Sequence, residues 1–413
     1  MRLKITKCEK LSGVVNISGS KNTALPIIAA CLITKKKIIL KNIPLITDVL
    51  LMIDIIKSMG VYVKREKHKL IIKAKSFNPI IESIDVTKFR ASYYLIGACL
   101  ARYNVCSIRL PGGCNFSDRP INMHIKAFED LGYVIDEYND TLYIKKEKDS
   151  KNKICFTKKS VGTTINTLIA CTNSNHPINL VNVSVEPEVL ETIKFLKKIG
   201  VTIINTNKSI YIFTSNLKYS TSYKIISDRI ETGSYMLLAA AIPNSHLIIK
   251  NSPIKYMESV INVIRDLGCI VNIHDETIIV KSGNIKSIKL EINEYPSFPT
   301  DLQPILSTVL LCANKRSIVK DYIYPDRISH VEELRKMKAK IQQMNNSIII
   351  NKSSLIGSNV RAKDLRMAFS LIIAGSIASG ETTVENAKIL LRGYEQPIIK
   401  LKKIGIQITE FIS

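Results

Sequence analysis

The chain has 413 residues, 46% of them hydrophobic and none of them Trp, which predicts two domains of ordinary size with packed cores. No uninterrupted apolar run reaches the roughly 18 residues of a membrane span, the opening Met1-Arg-Leu-Lys-Ile-Thr-Lys7 turns polar too soon for a secretion signal, nine cysteines without a C-x-x-C pair suit a reduced cytoplasmic chain, and six histidines without H-E-x-x-H suggest no zinc site. The formal net charge of +24 comes from dispersed lysines, so it reads as compositional bias rather than a nucleic-acid footprint, and it suits a basic cleft for small anions.

In chain order, two strand-like pieces come first, Leu3 to Lys7 and Val14 to Ser18. A polar start, Lys21-Asn-Thr-Ala-Leu-Pro26, then opens a helix of small and apolar residues. A short strand (Lys37 to Leu40), an amphipathic helix ending at Gly60 and alternating strands follow. The same order recurs. Amphipathic runs end at Gly60, Gly132, Gly200, Gly268 and Gly405, with Lys338 in the place of a glycine, at spacings of 72, 68, 68, 70 and 67 residues. Self-similarity at a fixed period marks one supersecondary unit used repeatedly, here six times.

The later openings are Phe89-Arg-Ala-Ser-Tyr93, Val161-Gly-Thr-Thr-Ile-Asn166, Ile230-Glu-Thr-Gly-Ser-Tyr235, Phe298-Pro-Thr-Asp-Leu-Gln303 and Leu365-Arg-Met-Ala-Phe-Ser370. Strands follow them at Cys106 to Leu110, Ile178 to Val181, Leu247 to Lys250, Ser317 to Lys320 and Thr382 to Val384. One unit is therefore helix, strand, helix and a strand pair. The sixth is short, with only 406–412 after Gly405, so the two N-terminal pieces are expected to complete it. Six units in two sets of three predict a central domain of residues 21–228 and a second, discontinuous domain of 1–20 plus 229–413, with a ligand cleft between them.

Polar residues gather at the start of each first helix: Lys21 and Asn22, Arg90, the Val161-Gly-Thr163 turn, Glu231 and Thr232, Asp301 and Arg366. Helix N-termini favour phosphates and carboxylates, so their convergence would suit an anion-rich substrate pair. Arg119, Arg327 and Arg392 recur at the second helix of their units. Asp301 follows a segment stiffened by Pro296 and Pro299. It fits a first-turn acid and a general base equally. Between a strand and a helix lies Pro111-Gly-Gly-Cys-Asn-Phe-Ser-Asp-Arg-Pro120, where two glycines place Cys114 on a loop, five residues from a guanidinium. A thiol in that setting reads as reactive rather than structural.

Gly19-Ser-Lys-Asn-Thr-Ala-Leu-Pro26, Pro111 to Pro120, Phe298 to Gln303, Asp364-Leu-Arg366 and Arg392-Gly-Tyr-Glu395 together resemble the UDP-N-acetylglucosamine 1-carboxyvinyltransferase family, in the family's order and over the full chain. The shikimate-pathway transferases share the fold and lack the Pro-Gly-Gly-Cys loop, which leaves a 3-phosphoshikimate 1-carboxyvinyltransferase-like enzyme as the alternative. A binding or regulatory homologue without turnover is a second alternative.

The resemblance implies a two-domain inverted α/β barrel with three repeats per domain, no cofactor or metal, and a cytoplasmic enzyme of early peptidoglycan synthesis, with a monomer expected. Its substrates would be phosphoenolpyruvate and UDP-N-acetylglucosamine. Lys21 and Asn22 would hold phosphoenolpyruvate, with Arg119, Arg366 and Arg392 around its phosphate and carboxylate. The UDP-sugar would meet Arg90, the backbone of Arg119, Pro120, Ile121, Asn122 and Met123, the turn of Lys158, Lys159, Ser160 and Val161, and also Asp301 and Ile323. Cys114 would be the general acid and a carrier of a covalent pyruvate adduct. Asp301 would accept the proton of the sugar's 3-hydroxyl. Asn122, Pro325-Asp326, Ile389-Leu-Leu391 and Lys338 depart from the family pattern, and the apolar residues before Arg392 put that arginine's support in question.

Overall fold

Four of the six polar openings start helices that their own side chains cap. Ser20 Oγ accepts from Thr23 N, Ser160 Oγ from Thr163 N, Asp228 from Ile230 N and Glu231 N, and Asp364 from Arg366 N and Met367 N. In this computed structural model, which describes residues 1–110, 121–206, 208–213, 217 and 219–411, twelve α-helices result. They are α1 (Lys21–Ala30), α2 (Thr47–Ser58), α3 (Tyr94–Tyr103), α4 (Asn122–Asp130), α5 (Val161–Ala170), α6 (Pro187–Lys198), α7 (Arg229–Ala241), α8 (Glu258–Asp266), α9 (Gln303–Val309), α10 (Ser329–Lys336), α11 (Leu365–Ile377) and α12 (Pro397–Lys403). None is long and apolar enough to cross a membrane.

The chain divides into two compact units. One combines Met1–Ser18 with residues 227–411, and the other is built from residues 19–110 and 121–226. Each holds three four-stranded sheets of the same plan. In the continuous unit, for example, Lys37–Lys41 lies between Thr221–Lys224, to which it runs parallel, and Lys69–Lys73, which pairs in turn with Tyr62–Glu66. The parallel edge strands Ile80–Ile81, Lys153–Cys155, Thr221–Lys224, Lys289–Ile292 and Asn359–Arg361 are too short to show a periodicity in sequence. Four of them feed the first helix of their own repeat and so form a strand–helix–strand crossover, the connection that parallel pairing requires. Thr221–Lys224 is the exception.

The N-terminal strands correct one expectation. Arg2–Thr6 does complete the sixth repeat, where it sits antiparallel between Glu381–Glu385 and Ile408–Phe411. The second piece, Ser12–Asn16, does not. It pairs in parallel with His246–Lys250 of the fourth repeat, from Ser12 opposite His246 to Asn16 opposite Lys250. The reason lies in the crossings. Thr221–Lys224 precedes α7 in sequence but closes back on Lys37–Lys41 in its own unit. The parallel place in the fourth sheet is thereby left for Ser12–Asn16.

The first helices of the repeats form the centre of each unit. In α7 every residue from Ile230 to Ala241 is buried. Their small residues are needed for close approach. A Cβ on Gly97 of α3 would fall 2.4 Å from the Asn166 carbonyl oxygen of α5. The recurring glycine after each second helix also has a physical cause. Gly60, Gly132, Gly200, Gly268 and Gly405 all take positive φ, between +84° and +109°, where the helix ends, and Lys338 takes φ +66° in the equivalent place.

Candidate active site

In the discontinuous unit, Pro299 leads into a tight turn over Thr300–Leu302 that carries Asp301. Both of its carboxylate oxygens are engaged. Oδ2 accepts from Arg366 Nε at 3.2 Å and Nη2 at 2.8 Å, and Oδ1 lies 2.9 Å from Arg327 Nη1. Arg327 Nη1 also donates to the Thr300 carbonyl at 2.6 Å. Thr300 Oγ1 donates to Asp321 Oδ2 at 2.6 Å, and Asp321 Oδ1 accepts from the N–H groups of Ile323 and Tyr324. Asp301 thus sits on a turn fixed from two directions. Its side chain is 26% exposed, against 4% for Arg327 and 6% for Arg366, so the carboxylate is the member of the cluster that solvent and solutes reach.

Arg366 leaves the first turn of α11 and lies over the Tyr394 ring, 5.6 Å from its centroid. Tyr394 stacks on Phe369 at 4.8 Å and shares a 2.7 Å hydrogen bond with Ser234 of α7. Burial works against the Arg366 charge, and the Asp301 carboxylate, together with Tyr394 and Asp228, outweighs it and holds the guanidinium above its ordinary pKa. Arg392 ends the turn Ala387–Arg392 and is half-buried. The apolar residues before it are anchored. Leu390 is buried, and its carbonyl accepts the N–H groups of Gly393 and Tyr394.

The continuous unit gathers a second set. Lys21, the first residue of α1, reaches Asp48 in the first turn of α2 at 3.3 Å, with Asn22 half-buried beside it in sequence. Arg90 lies over the Tyr93 ring, 4.8 Å from its centroid. Tyr93 meets His124 of α4 at 5.2 Å between rings, and His124 Nδ1 lies 3.2 Å from Asn166 Nδ2. Asn166 also donates to the Tyr93 carbonyl and accepts from Gly97 N. A Cβ on Gly162 would fall 3.5 Å from His124 Nε2, so the starts of α4 and α5 are close neighbours. The segment with Arg90, the Ile121-Asn-Met123 start of α4 and the Ser160-Val161 start of α5 therefore come together around one buried polar cluster. Lys158 and Lys159 are exposed, and so is Asn122. Ile323, in the other unit, is half-buried with its N–H bound to Asp321. Cys114, Arg119 and Pro120 lie outside the described residues.

Sequence reasoning missed His124, Asn166 and Tyr394. Burial first, and then the neighbouring Arg90, push His124 down to about 3. Burial and Arg327 do the same to His330. Both histidines stand eight residues before the residue of positive φ that follows their helix, Gly132 and Lys338. That shared offset was the signal available in the sequence, where the histidines had been weighed only as metal ligands.

The family profile described as EPSP synthase (3-phosphoshikimate 1-carboxyvinyltransferase) matches residues 5–401. A UDP-N-acetylglucosamine 1-carboxyvinyltransferase of Wolbachia sp. subsp. Brugia malayi (strain TRS) is 37% identical over 412 residues, covering 97% of this chain and 96% of the relative. UDP-N-acetylglucosamine 1-carboxyvinyltransferase 2 of Staphylococcus aureus strain MRSA252 is also 37% identical, over 410 residues and 98% of each chain. Among solved structures, an enolpyruvyl transferase of Streptomyces tendae superposes with a TM-score of 0.90 at 17% identity, covering 99% of this chain and 98% of the other. An EPSP synthase of Acinetobacter baumannii superposes with a TM-score of 0.76 at 16% identity, covering 99% and 100%. These two likenesses establish the inverted α/β fold, and the sequence relatives establish the branch: the chain belongs to the EPSP synthase family and, within it, to the UDP-N-acetylglucosamine 1-carboxyvinyltransferases.

Proposed function

We propose that this chain adds the 3-hydroxyl of UDP-N-acetylglucosamine to C2 of phosphoenolpyruvate and then expels phosphate, the first committed step of peptidoglycan synthesis, in the cytoplasm. The observation that carries the reading is the partly open Asp301 carboxylate held against two buried arginines. In the addition, the hydroxyl O–H bond breaks, the oxygen joins C2 and C3 takes a proton. In the elimination, C3 gives up a proton and the C2–phosphate bond breaks. Asp301 accepts the hydroxyl proton, and Cys114 supplies the proton to C3. An ordinary thiol, with a pKa of about 8.5, is mostly protonated at neutral pH and can donate.

Lys21, Asn22, Arg119, Arg366 and Arg392 would hold the phosphate and carboxylate of phosphoenolpyruvate. Fixed cations of this kind stabilise developing charge without reorganising. Arg90, Arg119 to Met123, Lys158 to Val161, Asp301 and Ile323 would hold the UDP-sugar. The clustering of the α4 and α5 starts with Arg90 supports this assignment. The two functional domains would be 21–228 and 1–20 plus 229–413. The test is phosphate release from phosphoenolpyruvate, measured with UDP-N-acetylglucosamine or with shikimate 3-phosphate as acceptor. Release with the UDP-sugar alone is expected. Release only with shikimate 3-phosphate, or with neither, overturns the assignment.

A further inference from the structure

The two arginines on Asp301 are attached to the protein in different ways. Arg327 donates from Nη1 to the carbonyl of Thr300 as well as lying on Oδ1, so it is tied to the very turn that carries the carboxylate. Arg366 comes from a different element, α11, and meets Oδ2 with the edge formed by Nε and Nη2. That edge is the part of a guanidinium that binds a carboxylate or phosphate with two parallel hydrogen bonds. In the resting protein Asp301 occupies it.

We propose that Arg327 is a positioning residue that keeps Oδ1 throughout, while Arg366 releases Oδ2 when a carboxylate- or phosphate-bearing substrate takes over its Nε–Nη2 edge. The proposal rests on the transferase reading and specifies how its base is switched on. A dianion competes well with a single carboxylate for one guanidinium, and the 26% exposure of Asp301 gives it an approach. Displacement from Arg366 removes two donors from Oδ2 and lets it accept a hydroxyl proton. The turn, tied to Arg327 and through Thr300 to Asp321, keeps the carboxylate in place. Proton acceptance then becomes available only when the anion is already bound.

The test is calorimetric titration of the full chain with phosphoenolpyruvate and with inorganic phosphate, for the wild type, Asp301→Asn and Asp321→Asn. Asp321 contacts Thr300 and two backbone N–H groups, so its isosteric change removes one nearby charge and leaves the Arg366 edge occupied. Asp301→Asn is expected to bind the anions about tenfold more tightly, and Asp321→Asn to stay within about twofold of the wild type. Equal affinity of Asp301→Asn and wild type, or an equal gain in Asp321→Asn, overturns the proposal. Arg327→Gln adds a second readout. The acid limb of its kcat profile should move up by about one pH unit, because the base has lost a cationic partner, and Arg327→Lys should restore it. A flat loss at every pH reduces Arg327 to a structural role and sinks the proposal. A protein that shows the affinity gain yet releases no phosphate keeps the clamp and loses the transferase reading instead.

Discussion

Asp301 and Cys114 divide the acid–base work of the proposed reaction, and each has a separable test. Asp301→Asn keeps the shape of the side chain and removes its basicity, so kcat is expected to fall by about 10² or more with UDP-sugar binding largely retained. A fully active variant would leave Asp301 as no more than a helix-start acid. Cys114 should be the thiol alkylated by an anionic epoxide such as fosfomycin, faster in the presence of the UDP-sugar. Peptide mapping by mass spectrometry reads this, and label on another cysteine would remove it from the centre of the chemistry. The buried histidines give a pH test. Above pH 6.5, His330 is neutral folded and unfolded and contributes nothing. Below it the unfolded chain takes up a proton that the folded site, titrating at about 3, refuses, so stability falls as pH drops from 6.5 towards 3. The slope is about 1.4 kcal/mol per pH unit for each such histidine. Urea unfolding of His330→Gln at pH 7, 5 and 4 should show an acid slope shallower by about one proton. An unchanged slope would mean that the imidazole is already protonated in the fold.

At the scale of the element, the ends of the second helices carry the signal. Lys338 holds the left-handed geometry that glycine holds in the other five repeats. A side chain there costs about 1–2 kcal/mol, so Lys338→Gly should raise stability by about 1 kcal/mol in chemical unfolding, net of the extra unfolded-state entropy of glycine. A loss of stability would mean that the lysine stem makes compensating contacts. These same positions explain what was legible beforehand. A residue of positive φ after each second helix favours glycine, which stands there in five of the six repeats, and a buried central helix requires small apolar residues after a polar start, so the number of repeats and the succession of elements within one could be read directly. The two- to four-residue parallel strands left no periodicity. The partner of Ser12–Asn16 depends on a choice made more than 200 residues away, at Thr221–Lys224, which local sequence does not contain. At the candidate site, the polar residues at the starts of the first helices pointed to Lys21, Arg90 and Arg366. The clamp on Asp301 did not show, because Arg327 and Arg366 reach it from turns far apart in the chain.

For the whole molecule, the two units are unequal in continuity. All three sheets of the unit between residues 19 and 226 are made from that one segment, including the closing pair of Thr221–Lys224 with Lys37–Lys41. A fragment of residues 19–226 is therefore expected to unfold cooperatively on heating, with near-native ellipticity. A fragment lacking a thermal transition would show that the unit needs its partner to fold. The other unit cannot be cut so simply, because Arg2–Thr6 is an inner strand between Glu381–Glu385 and Ile408–Phe411. This placement sets a timetable on the ribosome. At about 5–20 residues per second, the first strand waits roughly 20 to 80 seconds for its last neighbour to be synthesised. Throughout that interval the continuous unit can complete itself, while the earliest-made strand stays an open edge, the form of backbone most prone to pair with the wrong chain. Chaperone demand should therefore concentrate on the discontinuous unit, whose first strand waits for Glu381–Glu385 and Ile408–Phe411, rather than on the continuous one.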